Sequence, residues 1–343
     1  MKSELEQLFI QLEKALIQRK DLLDQTGHHT LRLFNGFLEG NPRWVIELFG
    51  KTLVINDHNK FNEIENQTVI EIRNQYLQWI PWVEAVLYKQ RNTPQPNDRR
   101  GKIIHGGQLP KEILEEGVRY AINLTINQDS SFYLDTRYLR AWLIKNMGAR
   151  TVLNFFAYTG SLGVAALAGG ADLLIQTDLN KRFLELAKNS SELNSFSPKT
   201  SKYLVGDFYK TVAMLKRQGS LFDCVILDPP FFSSTDAGRV DLVNQSAQLI
   251  NKVKPLIAHQ GWLVVVNNAL YLSGQSFLEM LEELCRDRYM EIETIIPVPQ
   301  DVTGFPETIV TQPPVSTAPF NHSTKIVVLR VRRKDEKTVS LSL

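Results

Sequence analysis

The chain has 343 residues, of which 43% are hydrophobic and 22% are charged, and its formal net charge is +2. This balance is typical of a globular protein with a sizeable core, and it excludes a disordered chain and a uniformly basic nucleic-acid-binding surface. The sequence has two cysteines without C-x-x-C spacing, which predicts neither a disulfide framework nor a metal site. It has no apolar run of membrane-spanning length, which predicts a cytoplasmic protein without membrane contact.

Residues 1–30 predict a single helix, which runs from residue 2 to about residue 24 and carries its leucines on one face. That face is predicted to pack on the chain's own body, but its near-heptad spacing also permits a coiled-coil seam, so monomer and homodimer both stay open. His28 and His29 follow Gly27 without a third ligand at a useful spacing, which indicates a polar turn rather than a metal site.

Residues 31–127 predict a small α+β domain for substrate recognition. Glycine-containing pairs at residues 50–51 and 116–117 indicate two β-hairpins. A stretch rich in Pro, Gly and Asn, residues 91–107, predicts a long exposed loop. The other predicted elements are the hairpin strands Trp44–Phe49 and Thr52–Ile55, the helix Val69–Ile80, the strand Val83–Tyr88 and the second hairpin within Glu112–Ile126.

Basic side chains are concentrated in a loop at residues 89–107. From residue 89 to residue 102 the sequence has five basic residues against one acid, Asp98. Two interpretations stay open, a solvated loop and an edge that contacts RNA phosphates. The five basic residues are Lys89, Arg91, Arg99, Arg100 and Lys102.

Residues 128–343 predict an α/β catalytic domain. A buried strand from Thr151 to Phe156, a turn, an Ala-rich helix and a second strand that ends at Asp178 form a βαβ unit, with its ligand crevice at the carboxyl ends of the strands. Gly160 in the turn lets the backbone approach a ligand, and a strand-end acid can accept from both hydroxyls of a ribose. A dinucleotide site is disfavoured because the G-x-G-x-x-G spacing is absent.

A second motif, Asp228-Pro229-Pro230-Phe231, follows a buried strand at residues 222–227. The two prolines fix φ and remove two N–H donors, so this corner places the acid and the aromatic ring rigidly at the crevice. Such a corner suits a planar group that is stacked on one face and contacted at its edge. Together with the glycine turn, it indicates a methyltransferase that uses S-adenosylmethionine.

The alternation of strands and helices continues to a fifth strand at residues 263–266, and its spacings predict a largely parallel sheet with right-handed crossovers. Acids follow three strands of this series, and the predicted contacts are ribose for Asp178, the adenine amino edge for Asp207 and the space near the methyl group for Asp228. The predicted helices are 181–194, 208–217 and 240–258, and the other strands are 202–205 and 325–331.

On these motifs the chain resembles the bacterial large-subunit ribosomal RNA methyltransferases of the Rossmann-like class I type, over roughly residues 31–333. That family includes C5-cytosine enzymes and the N7-guanine domain of a fused guanine methyltransferase. The resemblance implies RNA, in particular ribosomal RNA, as the substrate, and S-adenosylmethionine as a cofactor that two segments hold. Its implied cofactor residues are Phe132, Asp135 and Arg137 of the F-x-L-D-x-R segment, and Phe156, Tyr158, Thr159 and Gly160 of the turn.

Two residues of the F-x-L-D-x-R segment also have interpretations of their own. Asp135 is well placed as the N-cap of the helix that follows. Arg137, one turn into that helix, could face the carboxylate of a bound amino acid.

The chain departs from the C5-cytosine members, which begin with a small RNA-binding domain and carry a cysteine just after the fifth strand. Here Asn267 and Asn268 follow that strand. C5 methylation needs a thiolate that attacks C6, but Cys224 precedes Asp228 by roughly 13 Å of extended strand and Cys285 lies in a late helix. A nitrogen target such as guanine N7 is therefore predicted, with Phe231 stacking the base and with Asp228 and the two asparagines at its edge.

Two other functions stay open from the sequence. A methyltransferase acting on a small molecule or a protein is allowed by the low net charge. A non-catalytic RNA-binding protein could keep the same fold, although the intact series of acids argues against it.

Overall fold

In a computed structural model of the protein, residues 2–24, 26–60 and 66–339 are described. Residues 1, 25, 61–65 and 340–343 lie outside the described residues. The predicted ranges 1–30 and 128–343 therefore each extend beyond what the structure describes. The chain forms two compact units. Unit 1 comprises Met1–Asp135 and Pro299–Pro313, and unit 2 comprises Thr136–Val298 and Pro314–Leu343. The domain boundaries predicted after residues 30 and 127 stay predictions.

The described helices and strands alternate along most of the chain. The helices are α1 (Lys2–Gln18), α2 (Gly36–Glu39), α3 (Asn66–Trp79), α4 (Pro96–Arg100), α5 (Arg137–Asn146), α6 (Ser161–Ala168), α7 (Lys181–Leu193), α8 (Phe208–Arg217), α9 (Ser246–Val253), α10 (Gly274–Cys285) and α11 (Gln300–Thr303). The strands are β1 (Thr30–Asn35), β2 (Trp44–Phe49), β3 (Thr52–Lys60), β4 (Ala85–Asn92), β5 (Lys102–His105), β6 (Glu112–Glu115), β7 (Val118–Ala121), β8 (Thr151–Phe155), β9 (Leu173–Asp178), β10 (Ser201–Val205), β11 (Phe222–Leu227), β12 (Phe232–Thr235), β13 (Gly238–Asp241), β14 (Ile257–Asn267), β15 (Met290–Ile296) and β16 (Lys325–Val331).

Unit 1 is built on a five-stranded sheet with the order β1-β2-β3-β4-β5. Strands β3 and β4 are parallel, and the other neighbours are antiparallel. The hairpin predicted at residues 44–55 is confirmed, with Gly50 at a φ of 58° in its turn. The hairpin around residues 116–117 is also confirmed, as β6 and β7.

The N-terminal helix is shorter than predicted, because α1 ends at Gln18 and a single 3-10 turn follows at Lys20–Leu22. Its apolar face, with Leu8 and Leu12, is buried in the core of unit 1, so it packs on the chain's own body. The helix stops where Arg19 turns inward, and the buried guanidinium donates to both carboxylate oxygens of Glu39 at 3.0 and 3.1 Å.

The late segment 299–313 belongs to unit 1 and packs against β1 and α2. The Asp301 carboxylate accepts the Arg32 N–H at 3.0 Å, and the Asp301 carbonyl accepts from Arg19 at 2.9 Å. The side-chain amide of Asn35 donates to the Val302 carbonyl at 2.9 Å. These hydrogen bonds join an early segment of the sequence, residues 19–35, to a late segment, residues 301–302, within unit 1.

The predicted exposed loop at residues 91–107 is wrong in its secondary structure. Strand β4 continues to Asn92, α4 follows, and β5 pairs with β4 as the edge strand of the sheet. Proline initiates α4 at its first turn, and Gly101 ends it with a φ of 104°. The Pro and Gly residues therefore mark the ends of short elements rather than an irregular loop.

Unit 2 is built on a seven-stranded sheet with the order β10-β9-β8-β11-β14-β16-β15. The first five strands are parallel, and β16 and β15 add two antiparallel strands at one edge. Apolar clusters cover both faces of the sheet. The predicted Rossmann-like α/β sheet is confirmed, and its order reverses at β8, where the ligand crevice of such sheets lies.

Two local predictions for unit 2 are corrected. The helix expected at residues 240–258 is only α9, because β13 precedes it and β14 begins at Ile257. Val240 belongs to β13 of a β12–β13 hairpin that the helical periodicity concealed, and Leu242 and Val243 lie between that hairpin and α9. The N-cap of α5 is Thr136 rather than Asp135, because the helix begins one residue later than the motif suggested.

Among the described helices, none is both long enough and apolar enough to cross a membrane.

Candidate cofactor and acceptor site

The sheet order brings the predicted polar residues of unit 2 to consecutive strand ends. Asp207 follows β10, Asp178 ends β9, and the turn at residues 156–160 follows β8. On the other side of β8, Asp228 follows β11 and Asn267 ends β14. Because these five strands are parallel, all their carboxyl ends lie at one edge, with the turn at the point where the order reverses.

The turn after β8 has an unusual backbone. Phe156 and Tyr158 have φ values of 54° and 51°, which are uncommon for residues other than glycine and concentrate at functional sites. Gly160 has a φ of 79°, and a Cβ there would lie 2.3 Å from the Cβ of Ala187. Only glycine therefore fits this position, and Thr159 beside it is buried.

Asp178 connects the turn with the end of β9. Its Oδ2 accepts the Tyr158 N–H at 2.9 Å and its Oδ1 accepts the Asn180 N–H at 2.8 Å. Burial raises the pKa of the Asp178 carboxyl, while these N–H donors act in the opposite direction. A desolvated carboxylate of this kind binds further donors strongly, because water competes poorly for it.

Asp207 is the N-cap of α8, where its Oδ1 accepts the N–H groups of Tyr209 and Lys210 at 2.8 and 3.1 Å. Its Oδ2 accepts the hydroxyl of Thr235, in the β12–β13 hairpin, at 2.6 Å. The Tyr209 hydroxyl donates to the Arg239 carbonyl of the same hairpin. The hairpin is thereby attached to the start of α8, beside the predicted adenine contact.

The Asp228-Pro229-Pro230-Phe231 corner leaves β11 with its aromatic ring in solvent. Pro229 is buried, Asp228 is half-buried, and the Phe231 and Phe232 side chains are 49% and 52% exposed. The Arg239 guanidinium lies 4.8 Å from the centre of the Phe232 ring. Both rings are therefore accessible for stacking.

Asn267 is fully buried, and its side chain is committed to the protein itself. Its Nδ2 donates to the Leu242 carbonyl at 3.2 Å and to Ser246 Oγ at 3.0 Å, and its Oδ1 accepts the Ala269 N–H at 3.0 Å. These contacts favour a role in holding the loop after β14 over direct contact with a substrate.

The F-x-L-D-x-R segment is divided between the units, with Phe132 and Asp135 in unit 1 and Arg137 at the start of α5 in unit 2. Phe132 is buried, with its ring centre 5.1 Å from that of Tyr120. Asp135 and Arg137 are half-buried.

Two of the five residues of the predicted basic loop are bound to other residues of unit 1. Lys89 is fully buried, and its Nζ donates to the carbonyls of residues 127, 128 and 129 at 3.1 to 3.3 Å. Arg91 is paired with the Asp129 carboxylate at 2.9 Å. The expectation that all five residues form an exposed edge is therefore wrong, while Arg100 and Lys102 are exposed and Arg99 is half-buried.

Both cysteines lie in the predicted elements, but the expectation that both are buried core residues holds only for Cys224, because Cys285 is half-buried. Cys224 is fully buried in β11, and burial raises the pKa of its thiol far above the ordinary value. Cys285 ends α10, and burial also raises the pKa of its thiol. Neither environment favours a thiolate.

Sequence reasoning missed two polar contributions to this edge. Thr235 lies in a hairpin where strand signals were weak, so nothing marked it. Asn154 of β8 donates to Gln176 Oε1 of β9 at 3.1 Å, and both side chains are fully buried. The Gln176 side chain also fills the space beside Gly163, where a Cβ would lie 2.5 Å from it. The available sequence signal for this pair was a polar residue inside each of two apolar strands.

A family model described as S-adenosylmethionine-dependent methyltransferase matches residues 90–294 of the chain. The chain is 30% identical to ribosomal RNA large subunit methyltransferase I of Vibrio cholerae over 263 residues, which are 72% of this chain and 65% of that protein. It is 28% identical to the Vibrio campbellii protein of the same name, over 71% of this chain and 64% of that protein. The chain thus spans slightly less than two thirds of the length of these curated relatives.

Solved structures share the fold. The crystal structure of SMU.776 complexed with SAH has a TM-score of 0.81 and 22% identity, over 95% of this chain and 82% of that chain. A SAM-dependent methyltransferase from Agrobacterium tumefaciens has a TM-score of 0.59 and 17% identity, over 84% of this chain and 87% of that chain.

Proposed function

Because this chain belongs to the S-adenosylmethionine-dependent methyltransferase family, we propose that it methylates a base of ribosomal RNA, at a nitrogen atom such as guanine N7. The observation that carries the proposal is the carboxyl edge of the unit 2 sheet. There, Asp207 and Asp178 lie on one side of the turn, and the exposed rings of Phe231 and Phe232 lie on the other.

The residues of this edge fit S-adenosylmethionine, the cofactor of the family. The Asp178 oxygens accept the N–H groups of Tyr158 and Asn180, with the Leu179 N–H as a further donor, and a carboxylate with about four lone-pair sites keeps capacity for a ribose hydroxyl. Asp207 Oδ2 accepts one hydroxyl and keeps one lone pair for an adenine amino group. Gly160 lets the turn pass close to Ala187 and Gln176, and the positive φ values of Phe156 and Tyr158 fix the path of its backbone at the carboxyl edge. Arg137 is assigned to the carboxylate of the cofactor's methionine moiety.

When bound, the cofactor supplies an electrophilic methyl group. The protein's own part is to align the acceptor atom with that group and to keep water away from it. Phe231 and Phe232 would stack on the base, and Asp228 with Asn268 would contact its polar edge. N7 of guanine carries no proton, so the residues of this site need not include a general base.

The two cysteines support a nitrogen acceptor over C5 of cytosine. C5 methylation requires a thiolate at the base, because the ring carbon is otherwise a weak nucleophile. Cys224 and Cys285 are the two cysteines of the sequence, and burial raises the pKa of each thiol. Cys224 is also inside the sheet rather than at its carboxyl edge.

Two observations support ribosomal RNA as the acceptor. The curated relatives are ribosomal RNA methyltransferases, and the exposed rings at the Phe231 corner could stack on an unpaired base. A base in folded RNA must be unstacked to reach such a corner, and exposed aromatic rings stabilise it once it is unstacked. The cytoplasmic location and the oligomeric state stay predictions.

The test is methylation of ribosomal RNA from a strain that lacks this gene, with S-adenosylmethionine labelled in its methyl group. Digestion to nucleosides and mass spectrometry should identify N7-methylguanosine. Label on C5 of cytidine would overturn the nitrogen assignment, and label only on protein or small molecules would overturn the RNA assignment. An Asp228→Ala protein serves as the control and should lose about 100-fold or more in rate, because the base is no longer held in line.

A further inference from the structure

The loop between β14 and α10, residues 268–273, is fixed from inside the protein. At its start, the buried Asn267 donates to two acceptors and accepts the Ala269 N–H at 3.0 Å. The Ala269 carbonyl in turn accepts the Leu272 N–H at 3.3 Å. At its end, the Ser273 hydroxyl accepts the Ser276 N–H at 3.0 Å and caps α10.

A buried lysine adds a further constraint on this loop. Lys325, the first residue of β16, is fully buried, and its Nζ donates to the carbonyls of Ala269 at 3.0 Å and Ser323 at 2.7 Å. Burial lowers the pKa of this ammonium to about 8. Removing a lysine from water is unfavourable, so an arrangement of this kind is expected where the position of a loop matters.

The constrained loop carries two apolar side chains into solvent. Leu270 is 42% exposed, and the Tyr271 side chain is 70% exposed, immediately after the fully buried Ala269. An aromatic ring that is held out by a rigid backbone loses little conformational freedom when it stacks on a ligand.

This loop emerges beside the aromatic corner. Strands β11 and β14 are parallel neighbours, with Leu227 paired with Val265. Neighbouring strands lie about 4.8 Å apart, so the chain segments that follow these residues leave the same edge side by side. Phe231 and Phe232 are on one segment, and Tyr271 is on the other.

We propose that Tyr271 stacks on an unpaired RNA nucleotide next to the methylated base, and that Lys325 is the positioning residue that holds its loop. This inference rests on the proposed function, because it requires an RNA acceptor at the Phe231 corner. Stacking on aromatic rings tolerates every base, so Tyr271 selects for unpaired RNA rather than for a particular neighbouring nucleotide.

The test compares Tyr271→Ala and Tyr271→Phe in methylation of an unpaired ribosomal RNA fragment. The alanine variant should raise KM for RNA roughly 5- to 100-fold, the range of one base-stacking contact, with kcat little changed. The phenylalanine variant should keep the wild-type KM, because it retains the ring. The dissociation constant of S-adenosylmethionine should be the same in all three proteins.

Tyr289→Ala is a matched control. Tyr289 precedes β15, whose first residue pairs with Val331, and Val331 pairs with Gly261 near the start of β14. It therefore lies toward the opposite edge of the sheet, and its replacement should leave KM for RNA unchanged.

Lys325→Met tests the positioning role. If Lys325 acts through the loop, this change should raise KM for RNA, and it should add little when Tyr271 is already alanine. If Lys325→Met raises KM by the same factor in the wild type and in Tyr271→Ala, Lys325 does not act through the loop. Should Lys325→Met fail to fold, Lys325→Gln, which keeps donors but has a shorter side chain, provides the same comparison.

The failures are distinguishable. If the wild-type protein transfers no methyl group to RNA, the proposed function is wrong. If the wild type methylates RNA and Tyr271→Ala has the wild-type KM, or a weaker affinity for S-adenosylmethionine, the inference about Tyr271 is wrong while the function stands.

Discussion

Replacing Arg99, Arg100 and Lys102 together with glutamine should weaken RNA binding about equally for all RNA sequences. The reason is that surface cations which contact phosphates release counterions, and this effect does not depend on the bases. It appears as a linear decrease of log affinity with log salt concentration.

The structure limits the expected size of this effect. Of the five basic residues between positions 89 and 102, Lys89 donates to three carbonyls inside unit 1 and Arg91 is paired with Asp129. Three cations are left for phosphates. Each phosphate that is no longer neutralised lowers the magnitude of the log–log slope by about 0.7 to 0.9, so the loss of three contacts should lower it by about two to three units.

A filter-binding series with ribosomal RNA fragments over a range of salt concentrations measures the slope directly. The matched control removes three cations that already have acidic neighbours. Lys188 lies 3.6 Å from Glu192, Arg286 lies 2.7 Å from Glu283, and Arg332 lies 2.9 Å from Glu291. Equal slopes for the wild type and the Arg99, Arg100 and Lys102 variant would refute a phosphate role for this segment. If the control variant loses as much slope, the effect would come from net charge and not from contacts of this segment.

Four further changes test other parts of the structure. Asp178→Ala should weaken S-adenosylmethionine binding by roughly 10- to 100-fold in calorimetry, because a charged acceptor is removed; unchanged affinity would remove this residue from the site. Cys224→Ala with Cys285→Ala should leave methyl transfer intact and cost about 1 kcal/mol or less per site in urea unfolding, and loss of activity in a folded protein would restore the thiolate mechanism. Arg19→Met should lower the free energy of unfolding by about 3–5 kcal/mol, since its buried glutamate partner is left unpaired, and a change below about 1 kcal/mol would contradict this. The pKa of Lys325 in the folded protein, about 8, is lower than its ordinary value, so the unfolded chain binds more protons above about pH 8. The stability of the wild type relative to Lys325→Met should therefore rise from about pH 8 to about pH 10. A difference in stability that does not change with pH would refute the burial of the charge.

The sheet of unit 2 and its strand-end residues were accessible from the sequence because their signals are local. Apolar runs of strand length each end in an acid, a glycine turn or a proline pair, and parallel pairing brings those ends to one edge. Asp178, Asp207 and Asp228 could therefore be placed together from the sequence. The strand limits needed the structure, as the early start of β14 at Ile257 illustrates.

Other features had no local signal, because their partners are distant backbone groups. Lys89 resembles any surface lysine until the carbonyls of residues 127–129 surround it. Asn267 resembles a substrate contact until its amide is found bonded to Leu242 and Ser246. In both cases tertiary hydrogen bonds, which composition and periodicity do not encode, decide whether a polar side chain faces water or the interior.

The attachment of residues 299–313 to unit 1 has a consequence for synthesis on the ribosome. The N-terminal segment with Arg19 and Asn35 emerges early, yet its partners Asp301 and Val302 are made only after most of unit 2. Domains that fold during translation usually complete in the order in which they emerge. Here the first-made segment must wait for late-made residues, so a fragment ending at residue 135 would leave a buried arginine and the adjoining strand short of their hydrogen-bond acceptors.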